Sequence, residues 1–147
     1  MLGPREKQIL ATDLITGLKN INTYTNGVCY DTVAFVRYLL DANISPNELL
    51  NYTGMAWKSK FQFEHGRNWD GRSPIPAGTA VGFYRLVDNT VFHAALAIGG
   101  TEIRAVNGNQ LGVGWQRVDL KTALGAPNRD GSFNYDRTKI FVYLSNL

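Results

Sequence analysis

The spacing of apolar residues changes once along the chain, from a helical period near the start to an alternating period in the second half. Residues 5–18 carry apolar side chains at positions that share one face of a helix. Residues 28–42 give the stronger helical pattern, in which every third or fourth residue is apolar: Cys29, Val33, Val36 and Leu40. A third short helix is predicted after Ser45, a preferred N-cap that Pro46 follows at the first helical position.

From residue 79 onward the apolar residues alternate with polar or small ones, which indicates β-strands. Five strands are predicted, at residues 79–87, 91–98, 101–106, 112–118 and 139–144. The pairs Asp88-Asn89 and Gly99-Gly100 are typical of hairpin turns. Helices first and strands afterwards predict an α+β fold, with N-terminal helices packed on one face of an antiparallel sheet of about five strands.

Size and charge exclude several classes of protein. The 147 residues suit a single domain over residues 1–147, and the net charge of +3 comes from scattered basic residues, so we expect no nucleic-acid partner. No apolar run approaches the roughly 20 residues of a membrane span. We expect no secretory signal, because residues 1–7 lack its basic start and apolar stretch, and localisation stays open. One cysteine and two distant histidines predict no disulfide, metal or cofactor.

Cys29 lies where a loop turns into the second predicted helix. A thiol in the first turn of a helix is near unpaired main-chain N–H groups and the positive end of the helix dipole, and both favour the nucleophilic thiolate. The same N–H groups suit an oxyanion formed in acyl transfer. The alternative is a structural cysteine, since Cys29 shares the apolar stripe of its helix and free cysteine is commonly buried.

His93 interrupts the apolar strand predicted at residues 91–98. Alternation places His93 on one strand face with Ala95 and Ala97. Small residues beside a histidine allow another element to approach, and we expect this element to be the helix that begins near Cys29. The alternative is a hydrogen-bonded core histidine.

The hairpin at residues 99–100 has two registers. A two-residue turn pairs Ala97 with Glu102 and directs charged side chains toward the helices, whereas a three-residue loop pairs Ala97 with Ile103. The second register keeps the inner face apolar, so burial favours it.

That register also places Asn107 opposite His93. An amide there would orient the imidazole while the other ring nitrogen faces the thiol of Cys29, as in a Cys-His-Asn triad. The alternative is an ordinary asparagine at a strand end. Residues 107–114 are rich in glycine but lack the lysine of a phosphate-binding loop, so they are interpreted as a loop and strand start.

Residues 53–78 are aromatic without a regular period, which is typical of a long ordered binding loop. Trp57 and Trp69 in this segment, with Asn26 just before the cysteine, are the candidate substrate contacts. For the two tryptophans, core packing is the alternative.

The order of these parts resembles the papain-like cysteine hydrolase superfamily, especially its NlpC/P60 and CHAP branch. Residues 26–30 resemble the cysteine-bearing helix start, residues 75–84 the strand before the histidine, and residues 92–100 the histidine hairpin. Thr79 stands where that strand usually has aspartate, and Thr23 stands where papain has its oxyanion-hole glutamine.

This resemblance implies a cysteine-dependent amide hydrolase with Cys29, His93 and Asn107 as catalytic residues and no cofactor. It implies a peptidoglycan peptide or a target protein as substrate. It also extends to bacterial toxins and effectors that deamidate glutamine, and a toxin would have an inhibitor or immunity partner. The alternative from another class is a non-catalytic binding module in which Cys29 is structural.

Overall fold

The computed structural model describes residues 2–40, 53–61 and 67–145. Its helices are α1 (Pro4–Thr16), α2 (Cys29–Leu39), α3 (Gly54–Ser59) and α4 (Leu120–Leu124). Its strands are β1 (Arg67–Asn68), β2 (Ala80–Arg85), β3 (Thr90–Gly99), β4 (Glu102–Val106), β5 (Gly114–Asp119), β6 (Phe133–Tyr135) and β7 (Thr138–Ser145). The helix predicted after Ser45 lies outside the described residues. None of the helices in the described part of the chain is long and apolar enough to cross a membrane.

The seven strands form one antiparallel sheet in the order β1-β7-β2-β3-β4-β5, and β6 pairs with β7. The predicted α+β fold with N-terminal helices and an antiparallel sheet is confirmed. The sheet is larger than predicted, because β1 and β6 share the edge of β7 that faces away from β2. These two strands are only two and three residues long, too short for an alternating pattern to indicate them.

The β3–β4 hairpin adopts the register that burial favoured. Ala97 pairs with Ile103, both side chains are fully buried, and an irregularity after Ala97 brings Gly99 opposite Glu102. Glu102 also forms an ion pair with Arg117, with 3.2 Å between Nε and the carboxylate oxygen. The carboxylate of Glu102 is therefore paired with Arg117 at the hairpin end of the sheet and is not a hydrogen-bond partner of His93.

Apolar layers cover both faces of the sheet. The first face packs against α1, α2 and α3, and its buried sheet residues are Ala80, Tyr84, Val91, Ala94, Leu96, Val106 and Trp115. The opposite face packs against Trp69, Ile75 and α4. The prediction that helices occupy one face therefore holds for the N-terminal helices, whereas α4 lies on the other.

Helix α2 packs on the side of β3 that carries Ala94 and Leu96. Ala95 and Ala97 belong to the core on the opposite side of the sheet. The expectation that α2 approaches the small residues next to His93 is therefore wrong. Alternation holds for Ala94 to Ala97, whereas an irregularity at Phe92 brings that ring to the side of Ala95 and Ala97 instead of the opposite one. Both sides of the strand are apolar, so the pattern alone does not say which side the helix covers.

The last carbonyl groups of α1 are bound by side chains from the sheet. The guanidinium of Arg104 donates to the carbonyls of Ile15, Thr16 and Trp115 at 2.9, 3.0 and 2.9 Å. The indole N–H of Trp115 donates to the carbonyl of Leu14 at 2.8 Å. A helix end leaves its last carbonyls without a full set of main-chain donors, so the two side chains add hydrogen bonds at the end of α1 and fix it to β4 and β5.

Candidate functional site

Cys29 is the first residue of α2, preceded by the extended N-cap residue Val28. Its side chain is buried, with 6% of its surface exposed. Burial raises the pKa of the thiol, and the main-chain amides of Ala94 and Tyr30, which hydrogen-bond to the sulfur, act in the opposite direction. Because burial dominates, the thiol is neutral near pH 7.

The loop before α2 is held by the carboxylate of Asp31. One carboxylate oxygen accepts from the main-chain N–H of Asn26 at 3.3 Å, and the other is buried and has no hydrogen-bond partner within the described part of the chain. Burial raises the pKa of Asp31. Asn26 is exposed and lines a cavity of about 350 Å³, which Asn107 also lines. Asn26 is therefore accessible beside the start of α2.

His93 is buried on the side of β3 away from α2, with its ring stacked on Phe83 at 5.4 Å between centroids. Its Nε2 atom lies 3.1 Å from the carbonyl oxygen of Leu111. A carbonyl oxygen can only accept, so we infer that Nε2 carries the proton and that Nδ1 has a free lone pair. Nδ1 is buried and has no hydrogen-bond partner among the residues that the structure describes. Burial lowers the pKa of His93 to about 4, so the ring is neutral at pH 7.

Cys29 contacts β3 at the residue that directly follows His93. The sulfur of Cys29 lies against the amide of Ala94, which directly follows His93. The ring of His93 makes its hydrogen bond to Leu111, and its other nitrogen makes none. The structure thus brings Cys29 and His93 to the same point of the sheet without a hydrogen bond between them.

Asn107 is exposed and adopts a left-handed backbone conformation directly after β4, with φ of 56°. Its amide nitrogen donates to the main-chain carbonyl of Gly27, two residues before Cys29. In this structure the imidazole is held instead by the carbonyl of Leu111. The departure from the expected arrangement has a local cause: the left-handed turn takes the chain out of the β4 ladder at the residue that was expected to face the ring.

Trp57 and Trp69 are part of the core. Their exposed fractions are 0% and 3%, and each indole N–H donates to a main-chain carbonyl, of Tyr30 at 3.0 Å and of Ser73 at 2.9 Å. This matches the core-packing alternative that the sequence left open. Neither indole presents a surface that a ligand could contact in this conformation.

Two adjoining cavities lie near the start of β3, and His93 lines the smaller one. A polar cavity of about 150 Å³ is lined by His93, Asn107 and Tyr135, among others, and a larger, more apolar cavity of about 740 Å³ is lined by Tyr30. Both contain Arg85 and Phe92. The guanidinium carbon of Arg85 lies 4.9 Å from the centroid of the Phe92 ring. The smaller cavity is therefore the one that His93 lines, and the larger cavity adjoins it at Arg85 and Phe92.

Two residues that contact the imidazole were not identified from the sequence. Leu111 contributes a main-chain carbonyl, which has no side-chain signature, and Gly108 packs directly against the ring. The only signal was the glycine-rich composition of residues 107–114.

The search for metal ligands and for relatives gives negative results. Within the described ranges, no group of three or more histidine, cysteine, aspartate or glutamate side chains could hold a metal ion. No protein-family model matches the chain, and no curated protein matches it. The chemistry of the site is therefore argued from its own geometry.

Proposed function

We propose that the protein is a cysteine-dependent amide hydrolase in which Cys29 is the nucleophile and His93 the general base. The observation that carries the proposal is the Nδ1 atom of His93, which is buried and has no hydrogen-bond partner among the described residues. The next residue along β3, Ala94, contacts the Cys29 sulfur through its main-chain amide. A buried polar atom without a partner is costly, and it is common where a reaction needs a free lone pair. The fixed Nε2–H of the same ring leaves that lone pair as its only basic position.

The reaction follows from these groups. Nδ1 of His93 takes the thiol proton as the sulfur of Cys29 attacks the amide carbonyl, and an acyl–sulfur bond forms. The protonated ring then gives its proton to the leaving amine as the carbon–nitrogen bond breaks. Water attacks the thioester and His93 takes a proton from that water. The carbon–sulfur bond then breaks, His93 returns the proton to the sulfur, and the acid leaves. The main-chain N–H of Cys29 at the start of α2 is the nearest donor for the oxyanion.

The resting pair is neutral, because burial raises the pKa of Cys29 and lowers that of His93. Proton transfer therefore accompanies the attack on the carbonyl, and the sulfur and Nδ1 must come within hydrogen-bond distance for it to occur. Catalytic hydrogen bonds are commonly long before the substrate binds.

The substrate class that we propose is a peptide or protein amide, with a peptidoglycan peptide first and a protein glutamine second. The cavity that His93 lines and the larger cavity that adjoins it have room for a side chain of such a substrate. The two substrates differ only in the amine that leaves, so product analysis separates them. Soluble products from purified cell wall support the first, and conversion of a glutamine to glutamate in a target protein supports the second.

A non-catalytic binding module is the second candidate, favoured by the low exposure and raised pKa of Cys29. In that case the cysteine fills space at the start of α2, and the cavity that His93 lines binds a ligand without chemistry. This candidate predicts that replacing Cys29 changes stability alone.

Alkylation of Cys29 separates the two candidates, because it is the only thiol in the chain. The rate is measured against pH for the unaltered protein, for His93→Ala, and for His65→Ala, which removes the only other histidine. A hydrolase predicts that His93→Ala lowers the rate near neutral pH by about a hundredfold, the usual contribution of a positioned base, because the neutral ring takes the thiol proton as the sulfur attacks the reagent; His65→Ala should not lower it. Circular dichroism checks that each variant is folded.

The opposite result has a clear meaning. Equal rates in the three folded proteins, or reaction of Cys29 only after denaturation, would overturn the hydrolase and support the binding module.

A further inference from the structure

The geometry points to residues 107–112 as the element that positions the His93 ring, with the main-chain carbonyl of Leu111 as its hydrogen-bond partner and Gly108 as the residue that leaves room for it. The catalytic consequence of this inference rests on the proposed function. Leu111 and Gly108 are positioning residues, since they act through His93. The segment is called the histidine loop below.

Gly108 is needed for space rather than for backbone conformation. Its φ is −113°, which other residues adopt readily. A Cβ atom at this position would overlap Cε1 and Nε2 of His93 and would lie 2.9 Å from the carbonyl oxygen of Gly112. Any side chain at position 108 would therefore displace the ring or the loop.

Hydrogen bonds within the histidine loop fix the direction of the Leu111 carbonyl. The N–H of Gly108 donates to the carbonyl of Gly112 at 2.7 Å, and the N–H of Leu111 donates to the carbonyl of Gly108 at 2.8 Å. The side chain of Leu111 is fully buried in the core on the same side of the sheet as His93. The Leu111 carbonyl that accepts from Nε2 is thus fixed by the main-chain hydrogen bonds of the loop and by the buried side chain of its own residue.

The histidine loop also contacts the segment that carries the thiol. Asn107, its first residue, donates to the carbonyl of Gly27, two residues before Cys29. One short loop therefore holds the ring through Leu111 and the approach to α2 through Asn107. This arrangement assigns to a main-chain carbonyl the role expected of a third polar side chain: it selects the tautomer that leaves Nδ1 free.

The first test is the tautomer of His93 in the unaltered protein. Nitrogen-15 NMR of labelled imidazole distinguishes the two neutral tautomers, and His65→Ala assigns the signals because the chain has two histidines. We expect a neutral ring with the proton on Nε2 at pH 7. A ring protonated on Nδ1, or an even mixture of tautomers, would overturn the inference.

The second test compares Gly108→Ala with Gly114→Ala. At Gly114 the nearest atom to a new Cβ is Gln116 Oε1 at 3.6 Å, an ordinary contact, so this variant is the matched control. We expect Gly108→Ala to mix the tautomers and to raise the pKa of His93 from about 4 toward its ordinary value, because the ring leaves its buried position. The control should change neither property, and an unchanged ring in folded Gly108→Ala would overturn the inference.

The two tests remain separate from the test of the hydrolase. If the tautomer and Gly108→Ala behave as expected but His93→Ala leaves Cys29 alkylation unchanged, the positioning stands and the hydrolase fails. If Gly108→Ala does not fold, the tautomer of the unaltered protein decides the inference by itself.

Discussion

The two sides of β3 are buried to the same degree and differ in what they bury. On the side of α2, Ala94 and Leu96 pack against apolar residues of the helices. On the other side, His93 packs against Phe83 and retains a ring nitrogen without a partner. Burial of apolar surface stabilises a fold, whereas burial of an unpaired polar atom costs stability. Both sides of β3 therefore contribute buried apolar residues to the fold, and the His93 side in addition carries a candidate reactive group.

The largest effect is expected from Leu96→Ala on the α2 side. Leu96 is fully buried, and truncation of such a leucine leaves a cavity, so the free energy of unfolding should fall by about 3 kcal/mol in urea denaturation. Leu86→Ala is the matched control, because Leu86 is 52% exposed and should change the free energy by about 0.5 kcal/mol or less. The His93 tautomer should not change in either variant, and a change in Leu96→Ala would show that the two sides are coupled.

A smaller effect is expected from pH on the His93 side. The unfolded ring takes up a proton as pH falls through 6.5, whereas the folded ring stays neutral until about 4, so stability declines over this interval. Between about pH 7.5 and pH 4.5 the loss due to His93 should be about 2.5 kcal/mol. Urea denaturation at both pH values, compared with His93→Gln, isolates this contribution because the other groups titrate in both proteins. An equal loss in the variant would contradict the prediction.

The smallest effect is expected from Asn107→Gly, which tests whether Asn107 or the Leu111 carbonyl orients the ring of His93. Glycine keeps the left-handed backbone and removes the hydrogen bond to Gly27, so the free energy of unfolding should fall by about 1 kcal/mol. The His93 tautomer should persist, since Leu111 holds Nε2. Asn109→Gly, also left-handed with φ of 50°, is the control. A changed tautomer in Asn107→Gly would show that Asn107 is needed to orient the imidazole of His93.

Much of the fold could be predicted from the sequence because apolar spacing reports burial. The stripe on α2 and the alternation of the five longer strands identified those elements, and burial of Ala97 and Ile103 selected the hairpin register. Helices α3 and α4 were missed, since six and five residues are too few for a helical period. Which side of β3 α2 covers could not be predicted, because both sides are apolar.

In the candidate site, the sequence could predict the two side chains but not the main-chain groups that surround them. Cys29 and His93 stood out because a helix start and an apolar strand gave each an unusual setting. The partner of the ring could not be found in this way, since Leu111 contributes a main-chain carbonyl and the left-handed turn at Asn107 depends on the loop as a whole. Whether the pair reacts stays a prediction.

The hydrogen bonds from Arg104 and Trp115 to the end of α1 have a consequence for the order in which the chain folds. Arg104 lies 89 residues from Ile15, and Trp115 lies 101 residues from Leu14, yet these pairs complete the end of the first helix. Contacts between distant parts of a chain form slowly, because a long loop must close before they contribute. During synthesis, α1 therefore obtains these hydrogen bonds only after β4 and β5 have been added.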